Sequence, residues 1–373
     1  MKKKNPITLI QVKKFLNEKG LEVFSKKNKN TGVASFVYTC LASILVIGFF
    51  SLAPLVSNLK QKIDINNQEV KNNSKKNLEK ILSGKEIEDE ENDIDLNNAR
   101  IFEDIFKIET TPLDTVRLSA STIEQLFKDT NYTLENVRKT KYVKPVALSL
   151  LPEEMKMIES TKKRKKLFIK IVLPLILEEN KKIQEDRKKL FSILNKNNNS
   201  TSEKKWLNQK FKQYGVSNKD LITLKIRMDE IPVSLTIAQA AKETGWGTSR
   251  FALEGNALFG QWTWGGAGIK PLKLDSDQNH KVMKFKILKA SVRAYQRNLN
   301  THSSYREFRK IRAVIRDNDE KLDSLILADY LDKYAETGKE YTKILKQIIK
   351  QNRLKDFDEV KLMPSTIKEK NKI

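Results

Sequence analysis

The stretch Ile231–Gly247 (IPVSLTIAQAAKETGWG) decides how its surroundings fold. Pro232 suits the start of a helix, where its missing amide hydrogen costs no hydrogen bond, and Gly245 is a typical helix stop. The apolar residues between them recur at helical spacing. They are Val233, Ile237, Ala240 and Ala241. The sequence therefore predicts a helix packed in the core, with Glu243 in its last turn.

Glu243 is in an unusual place for an acid. The C-terminal end of a helix carries partial negative charge, which disfavours a carboxylate and raises its pKa. The nearby Trp246 is expected to remove water from the carboxyl and to raise the pKa further. A carboxyl that stays protonated near neutral pH is what a glycosidase needs to protonate a leaving oxygen. We interpret Glu243 as a candidate general acid; the alternative is a surface glutamate at a helix end.

Tryptophan and glycine are concentrated around and after this helix. All four tryptophans lie between residues 206 and 264, and seven of the thirteen glycines lie between residues 245 and 268. Such a stretch is typical of a binding cleft built from loops. The alternative is a glycine-rich turn region that is packed by tryptophans.

Two adjacent motifs resemble those of a known family. AQAAKETGWGTS at 238–249, followed by NALFG at 256–260, is similar to the signature of the glucosaminidase family of peptidoglycan hydrolases, glycoside hydrolase family 73. The stretches 164–180, 298–308 and 334–341 resemble its Bax-like members. The resemblance covers roughly residues 145–355.

The resemblance implies an α+β, mainly α, lysozyme-like fold, in which a helical lobe faces a small β-hairpin lobe across a groove. The hairpin lobe is expected at residues 256–285, with strands at 259–264 and 282–287. Glu243 matches the general acid of the family. Tyr334 matches the tyrosine that the family places near the cleaved bond; the alternative is a core aromatic on a helix over Leu325–Tyr334.

The same resemblance implies which residues line the groove. The matching positions are Trp246, Asn256, Phe259 and Gly260. Gln261, Trp262 and Trp264 follow in the same loop, and their chemistry suits stacking on and hydrogen bonding to sugars.

Many relatives carry a second acid in the hairpin or just after it, but residues 287–292 (ILKASV) contain none. Asp275 and Asp277 are the nearest alternatives. Either one of them acts as the base, or the 2-acetamido group of the substrate assists.

Composition limits the other classes of function. Lys+Arg 71 against Asp+Glu 47 gives a net charge of +24, which suits an anionic partner such as nucleic acid, anionic lipid or an acidic polymer. A lysine-rich composition throughout the chain explains the charge equally well. One cysteine and two histidines exclude an intramolecular disulfide, a cysteine zinc site and a histidine cluster. We expect no metal and no cofactor.

An uncharged stretch near the start predicts a membrane anchor. Residues 33–56 span about 36 Å as a helix, enough for a hydrocarbon core of ~30 Å. Nine lysines against two glutamates precede the stretch, which favours a cytoplasmic N-terminus and a periplasmic remainder of the chain. A cleaved signal peptide is the alternative, but Pro54 follows the best cleavage site. This placement argues against a nucleic-acid partner.

Composition divides the chain into six segments. We predict a basic cytoplasmic tail at 1–32, a transmembrane helix at 33–56, a flexible linker at 57–140, a helical extension at 141–200 that is broken at Pro174, a glucosaminidase domain at 201–358 and a polar tail at 359–373.

The expected function is that of an inner-membrane-anchored endo-β-N-acetylglucosaminidase that acts on the glycan strands of peptidoglycan. Two alternatives stay open. A lytic transglycosylase or muramidase shares the fold and a single glutamate but cleaves the other glycosidic bond. A wall-binding protein without catalysis fits the missing second acid.

Overall fold

The computed structural model describes residues 101–102, 105, 116–263, 268–270 and 281–364, with only the backbone of 262–263. The predicted cytoplasmic tail, the predicted membrane helix at 33–56 and most of the predicted linker lie outside these residues. Within them, a search for a helix of sufficient length and apolarity to cross a membrane finds none.

The described residues form a mainly helical domain with small sheets, in agreement with the predicted α+β class. The helices are α1 (Ala120–Asp129), α2 (Leu134–Thr140), α3 (Thr161–Leu194), α4 (Thr201–Gln213), α5 (Leu221–Arg227), α6 (Val233–Thr244), α7 (Arg250–Gly255), α8 (Leu288–Thr301), α9 (Arg306–Asp317), α10 (Ser324–Ala328) and α11 (Lys339–Gln351). Short 3-10 helices lie at Glu153–Met157, Ser303–Tyr305, Asp332–Tyr334 and Leu354–Phe357.

Two small sheets accompany the helices. The first pairs β1 (Tyr142–Val143) with β5 (Lys361–Leu362) in parallel. The second has β4 (Lys281–Met283) between β2 (Trp262–Thr263) and β3 (Gly268–Ile269), and both pairings are antiparallel. The predicted hairpin lobe is confirmed, but the predicted second strand at 282–287 is too long, because the chain leaves the sheet after Met283 and begins helix α8 at Leu288.

Helix α6 is the helix predicted from the Ile231–Gly247 stretch, and it is buried along almost its whole length. Pro232 occupies the position before the first helical residue and offers no side-chain cap. The carboxylate of Asp358, 124 residues away, takes that place, because it accepts hydrogen bonds from the backbone nitrogen and the hydroxyl of Ser234, both at 2.8 Å. This distant cap fixes the start of the helix whose other end carries Glu243.

Helix α3 runs without interruption through Pro174, so the predicted break at this proline is wrong. A proline inside a helix leaves the carbonyl four residues earlier without its usual donor. Here that carbonyl belongs to Lys170, and the hydroxyl of Tyr132 donates to it at 2.9 Å. Because the carbonyl is satisfied and Pro174 is itself buried, the helix continues for 34 residues.

The predicted flexible linker extends too far along the chain. Helices α1 and α2 lie inside the segment 57–140, and each turns apolar side chains into the core, including Ile123, Phe127 and Val137. Ile105 is also fully buried, against Phe285 and Ile287 at the base of the hairpin lobe. The structured region therefore begins well before residue 141.

The predicted polar tail at 359–373 is also wrong at its start. Val360 is buried and strand β5 pairs with β1. The guanidinium of Arg138 contacts Asp356 at 3.0 Å and the carbonyl of Asn352 at 3.3 Å. These contacts hold the two sequence-distant edges of the domain together.

Buried charges are paired inside the helical lobe. Asp229 is 2% exposed, and its oxygens lie within ion-pair distance of Arg187, Arg312 and Arg316. Arg312 has no exposed surface and donates to the backbone carbonyls of Ile226, Asp229 and Glu230. A buried charge is tolerated when it is paired and hydrogen bonded, so these arginines fix helix α9 against the end of α5.

The Asp358 cap predicts a pH dependence of stability. Burial raises the pKa of Asp358 to about 6, against the opposing hydrogen bonds from Ser234. Because the folded pKa lies above the unfolded value of 3.8, the contribution of this group is complete below about pH 4 and is lost as the pH rises through 6. In Asp358→Asn, which cannot ionise, we expect the free energy of unfolding to fall less between pH 4 and 7, by about 1–3 kcal/mol.

Urea unfolding at several pH values measures this difference. Ser234→Ala is the companion variant: it removes one hydrogen-bond donor to the carboxylate and should move the wild-type transition to higher pH. Parallel stability curves for the wild type and Asp358→Asn would contradict the assignment.

Candidate active site

Glu243 lies in the last turn of helix α6, as the sequence predicts. Gly245 ends the helix in the left-handed conformation at φ 57°, and Trp246 follows at φ 63°. The helix turns away from the core only here: Ala241 is buried, Lys242 is exposed and Glu243 is half-buried. Glu243 is the one acidic residue of this helix, and it lies where the helix reaches the surface of the domain.

Burial raises the pKa of Glu243, against two opposing influences. The hydroxyl of Tyr341 donates a hydrogen bond to Oε1 at 2.8 Å, and the charge of Lys242 is nearby; both favour the carboxylate. Among the described residues, no second carboxyl contributes to the shift. Desolvation thus keeps this acid protonated to higher pH than a free glutamate.

The hydroxyl of Tyr341 is itself held by a buried side chain. It accepts a hydrogen bond from Nε2 of Gln239 at 3.1 Å, and Oε1 of Gln239 accepts one from the hydroxyl of Tyr295 at 2.6 Å. Gln239, Tyr295 and Tyr341 are all buried. Gln239 is one turn before Glu243 on helix α6, so the helix spacing places both side chains on one face.

Aromatic rings surround this chain of hydrogen bonds. We call the set the aromatic cluster: Phe259, Tyr295, Tyr305, Tyr334 and Tyr341. Tyr334 stacks on Tyr341, with ring centroids 5.6 Å apart and planes at 9°. Phe259 stacks on Tyr295 at 3.9 Å and 13°. Tyr334 meets Tyr295 edge to face at 6.5 Å and lies tilted against Tyr305 at 5.9 Å. The cluster joins helices α6, α8 and α11 to the loop that enters the hairpin lobe.

Tyr334 is close to Glu243 but does not contact it. Its hydroxyl donates to the backbone carbonyl of Phe259 at 2.8 Å. It lies in the 3-10 helix Asp332–Tyr334, beyond the end of α10, so the predicted helix over Leu325–Tyr334 is wrong. The tyrosine that contacts the acid is Tyr341, seven residues later in the same motif.

Gly260 faces the second oxygen of the acid. A Cβ atom at this position would lie 3.3 Å from Oε2 of Glu243, and the backbone has φ 60°. The position therefore favours glycine for two reasons, since a side chain would both strain the backbone and crowd the carboxyl.

Trp246 packs on helix α3. Its ring meets Phe168 edge to face at 5.9 Å, and Nζ of Lys165 lies 4.8 Å from its centroid. Burial alone raises the pKa of Glu243, whereas Tyr341 and Lys242 lower it. The desolvating role of Trp246 stays a prediction.

Asn256 and Phe259, both predicted as groove residues, are buried and have structural contacts. Asn256 ends helix α7 in the left-handed conformation, and its side-chain nitrogen donates to the carbonyls of Phe285 and Lys286. Phe259 lies in the aromatic cluster with 1% of its surface exposed. Gln261 is half-buried at the start of the hairpin lobe, and its backbone carbonyl accepts from the nitrogen of Met283 at 2.7 Å.

The remaining predicted residues of the hairpin lobe are described in part or not at all. The backbone of Trp262 pairs with Val282 in the sheet. Trp264, Asp275 and Asp277 lie outside the described residues, so their roles stay predictions. In the part of the chain that the structure describes, no group of three or more His, Cys, Asp or Glu side chains is arranged to hold a metal ion.

Comparison with known proteins agrees with this geometry. The sequence profile of the glucosaminidase family, described as mannosyl-glycoprotein endo-beta-N-acetylglucosaminidase, matches residues 219–354. Protein bax of Escherichia coli (strain K12) is 33% identical over 222 residues, which cover 58% of this chain and 79% of that protein. The chain is a Bax-like protein of the glucosaminidase family. No solved structure matches the chain.

Membership in this family supports a glycosidase-type enzyme with a glycan as substrate, and specifically a hydrolase that acts on peptidoglycan. The matched range begins just before helix α5 and ends at residue 354, three residues after the end of helix α11. It includes the whole of helix α6 and the aromatic cluster.

Sequence reasoning missed three residues around the acid. Gln239 and Tyr341 lie inside stretches that resemble the family, at 238–249 and 334–341, and Tyr295 lies outside these stretches. A usable signal existed for Gln239, because a polar residue four positions before Glu243 on a buried helix needs a partner. Nothing in the sequence indicates which tyrosine provides it.

The Gly260 contact gives a prediction. Gly260→Ala should lower activity per folded molecule by about tenfold or more, because the new Cβ displaces the Glu243 carboxyl, and should lower stability by about 1–2 kcal/mol through the positive φ. Gly215→Ala is the matched control: its φ is 62° and its Cβ would meet Ile101 and Arg227, away from Glu243. Fragment release from sacculi and thermal unfolding measure the two effects. Equal activity losses in both variants would contradict the assignment.

Proposed function

We propose that the protein is an endo-β-N-acetylglucosaminidase that cleaves the glycan strands of peptidoglycan on the reducing side of N-acetylglucosamine. The observation that carries the proposal is the position of Glu243, a half-buried acid at the end of a buried helix, with its pKa raised by burial. The family membership supplies the class of substrate.

Glu243 acts as the general acid in this proposal. Cleavage of a glycosidic bond requires a proton on the leaving oxygen, and an acid with a raised pKa retains that proton at the working pH. The hydrogen bond from Tyr341 holds one carboxyl oxygen in place while the other stays available to the substrate. Pre-positioning of this kind lowers the entropic cost of reaching the transition state.

We propose for Tyr334 a role other than direct action at the cleaved bond, which the family resemblance implies. Because its only proton is used on the carbonyl of Phe259, the hydroxyl is not directed at the reacting bond. We propose that Tyr334 is a positioning residue. Its hydroxyl anchors the loop at Phe259–Gly260 beside Glu243, and its ring stacks on Tyr341, the tyrosine that donates to the acid.

The second catalytic group is proposed as either Asp275 or Asp277, or as the 2-acetamido group of the substrate itself. The 2-acetamido group can take this role because some glycosidases use the substrate in place of a second carboxylate. The basic surface of the chain, with a net charge of +24, suits a substrate whose lactyl and peptide groups carry carboxylates.

The central test replaces the acid. Glu243→Gln keeps an acceptor for Tyr341 but cannot donate a proton from an ionisable group, so release of muropeptide fragments should fall by about 100-fold or more. The midpoint of thermal unfolding should stay within about 2 °C of the wild type. Glu254→Gln is the matched control, because Glu254 is exposed on helix α7 and its partner among the described residues is Arg250. Full activity of Glu243→Gln would end the proposal.

Mass spectrometry of the released fragments separates the proposed activity from its nearest alternative. A glucosaminidase leaves N-acetylglucosamine at the new reducing end. A muramidase leaves the other sugar of the strand at the new reducing end. A lytic transglycosylase leaves that sugar as an anhydro form. A protein that binds sacculi tightly and releases nothing would be the non-catalytic wall-binding protein.

We also propose that residues 33–56 anchor the chain in the bacterial inner membrane, with the N-terminus in the cytoplasm and the glucosaminidase domain in the periplasm. The support comes from the sequence: an uncharged stretch of sufficient length, preceded by nine lysines and two glutamates. The proposed substrate is outside the cytoplasm, which is consistent with this orientation.

Reporter fusions test the orientation. A reporter that is active only outside the cytoplasm should be active when fused after residue 100 and inactive when fused after residue 30, because positive residues are retained inside. Deletion of residues 33–56 should release the protein from the membrane fraction. Activity of the fusion after residue 30 would reverse the proposed orientation.

A further inference from the structure

A chain of three hydrogen bonds connects the core to the acid. The hydroxyl of Tyr295 donates to Oε1 of Gln239, the side-chain nitrogen of Gln239 donates to the oxygen of Tyr341, and the hydroxyl of Tyr341 donates to Oε1 of Glu243. Tyr295 and Gln239 have no exposed surface, and Tyr341 has 1%. Water therefore does not exchange freely into the lower part of the chain.

The direction of this chain follows from the orientation of the Gln239 amide, whose oxygen faces Tyr295 and whose nitrogen faces Tyr341. A phenol has one proton, and Tyr295 uses it on the carbonyl oxygen of the Gln239 amide. The other end of that amide is an NH2 group, which can only donate. The oxygen of Tyr341 must therefore accept from Gln239, and the one proton of Tyr341 is left for Glu243.

This direction makes the two carboxyl oxygens of Glu243 unequal. Oε1 accepts the Tyr341 proton whether the acid is ionised or neutral, so the acidic proton belongs on Oε2. Oε2 accepts no hydrogen bond from the described residues, and a Cβ atom at Gly260 would lie 3.3 Å from it. The absence of a side chain at Gly260 leaves the proton-bearing oxygen uncovered on that side.

We propose that Gln239 is a positioning residue of the active site: held by Tyr295, it directs the Tyr341 proton to Oε1 of Glu243 and so places the transferable proton on Oε2. The use of that proton in glycoside cleavage rests on the proposed function. The coupling between the three side chains and Glu243 does not.

The proposal predicts a sign for each substitution. A donor to the oxygen of Tyr341 polarises its O–H bond and strengthens the hydrogen bond to the Glu243 anion. Loss of Gln239 should therefore weaken the stabilisation of the anion and raise the Glu243 pKa. Loss of the Tyr341 hydroxyl removes the hydrogen bond altogether and should raise the pKa more.

The experiment is a double-mutant cycle on the full chain with Gln239→Met and Tyr341→Phe. Titration of the Glu243 carboxyl is followed by NMR on protein labelled with 13C at the glutamate carboxyls, and Glu243→Gln assigns the signal. We expect Tyr341→Phe to lower the acid dissociation constant about tenfold and Gln239→Met about threefold. In the Tyr341→Phe background, Gln239→Met should have no further effect, because Tyr341 transmits it.

Gln239→Met removes the amide oxygen that accepts from the buried hydroxyl of Tyr295 and leaves Thr236 as its side-chain hydrogen-bond partner, which lowers stability. The double variant Tyr295→Phe/Gln239→Met removes both partners, so it should fold better and show the same threefold change. A merely structural role for Gln239 would lower the unfolding midpoint without moving the titration of Glu243, and that result would overturn the proposal.

The sign of the change is the sharpest outcome. If the amide were turned around, its oxygen would compete with Glu243 for the Tyr341 proton, and Gln239→Met would lower the Glu243 pKa instead of raising it. That result would also overturn the proposal. Failure of the proposed function is distinguishable, because the wild type would release no fragments from sacculi while the titration shifts of the cycle remained.

Discussion

Helix α6 has almost no surface, and this constraint organises the domain around it. Its polar side chains cannot be satisfied by water, so they bond to the protein. Thr244 bonds to the backbone of the neighbouring Ala240 and Gly247, whereas Ser234 bonds to Asp358 and Gln239 to two tyrosines. The partners of Ser234 and Gln239 are far from helix α6 in sequence. The helix is thus held at its start, at its middle and at its end. These contacts fix the position of Glu243 in its last turn.

The aromatic cluster extends this fixation from the helix to the hairpin lobe. Stacked rings exclude water from one side of Glu243, and the hydroxyls inside the cluster supply the polar contacts that burial would otherwise leave unmade. Desolvation and one hydrogen bond therefore act on the same carboxyl in opposite directions. Burial has the larger effect, so the pKa of Glu243 lies above that of a free glutamate.

The sequence predicted those features that depend on local pattern. Helix α6, its glycine stop and the position of Glu243 follow from periodicity and from the properties of Pro232 and Gly245. Features that depend on distant contacts were not predictable in the same way. Pro174 indicated a break because the sequence cannot show that Tyr132 satisfies the freed carbonyl. The family resemblance implies a role for Tyr334 and none for Tyr341, because a motif gives the order of two tyrosines and not the directions of their hydroxyls.

Two contacts close the domain at its edges: Arg138 pairs with Asp356, and strand β1 pairs with β5. This closure determines which part of the chain can be transferred to another protein. The range that matches the family profile ends at residue 354 and begins at residue 219, inside that closure on both sides. A transplant limited to the matched range would discard helix α3 and both strands of the closure together. A recombined protein, natural or engineered, therefore needs the segments on both sides of the matched range together with it.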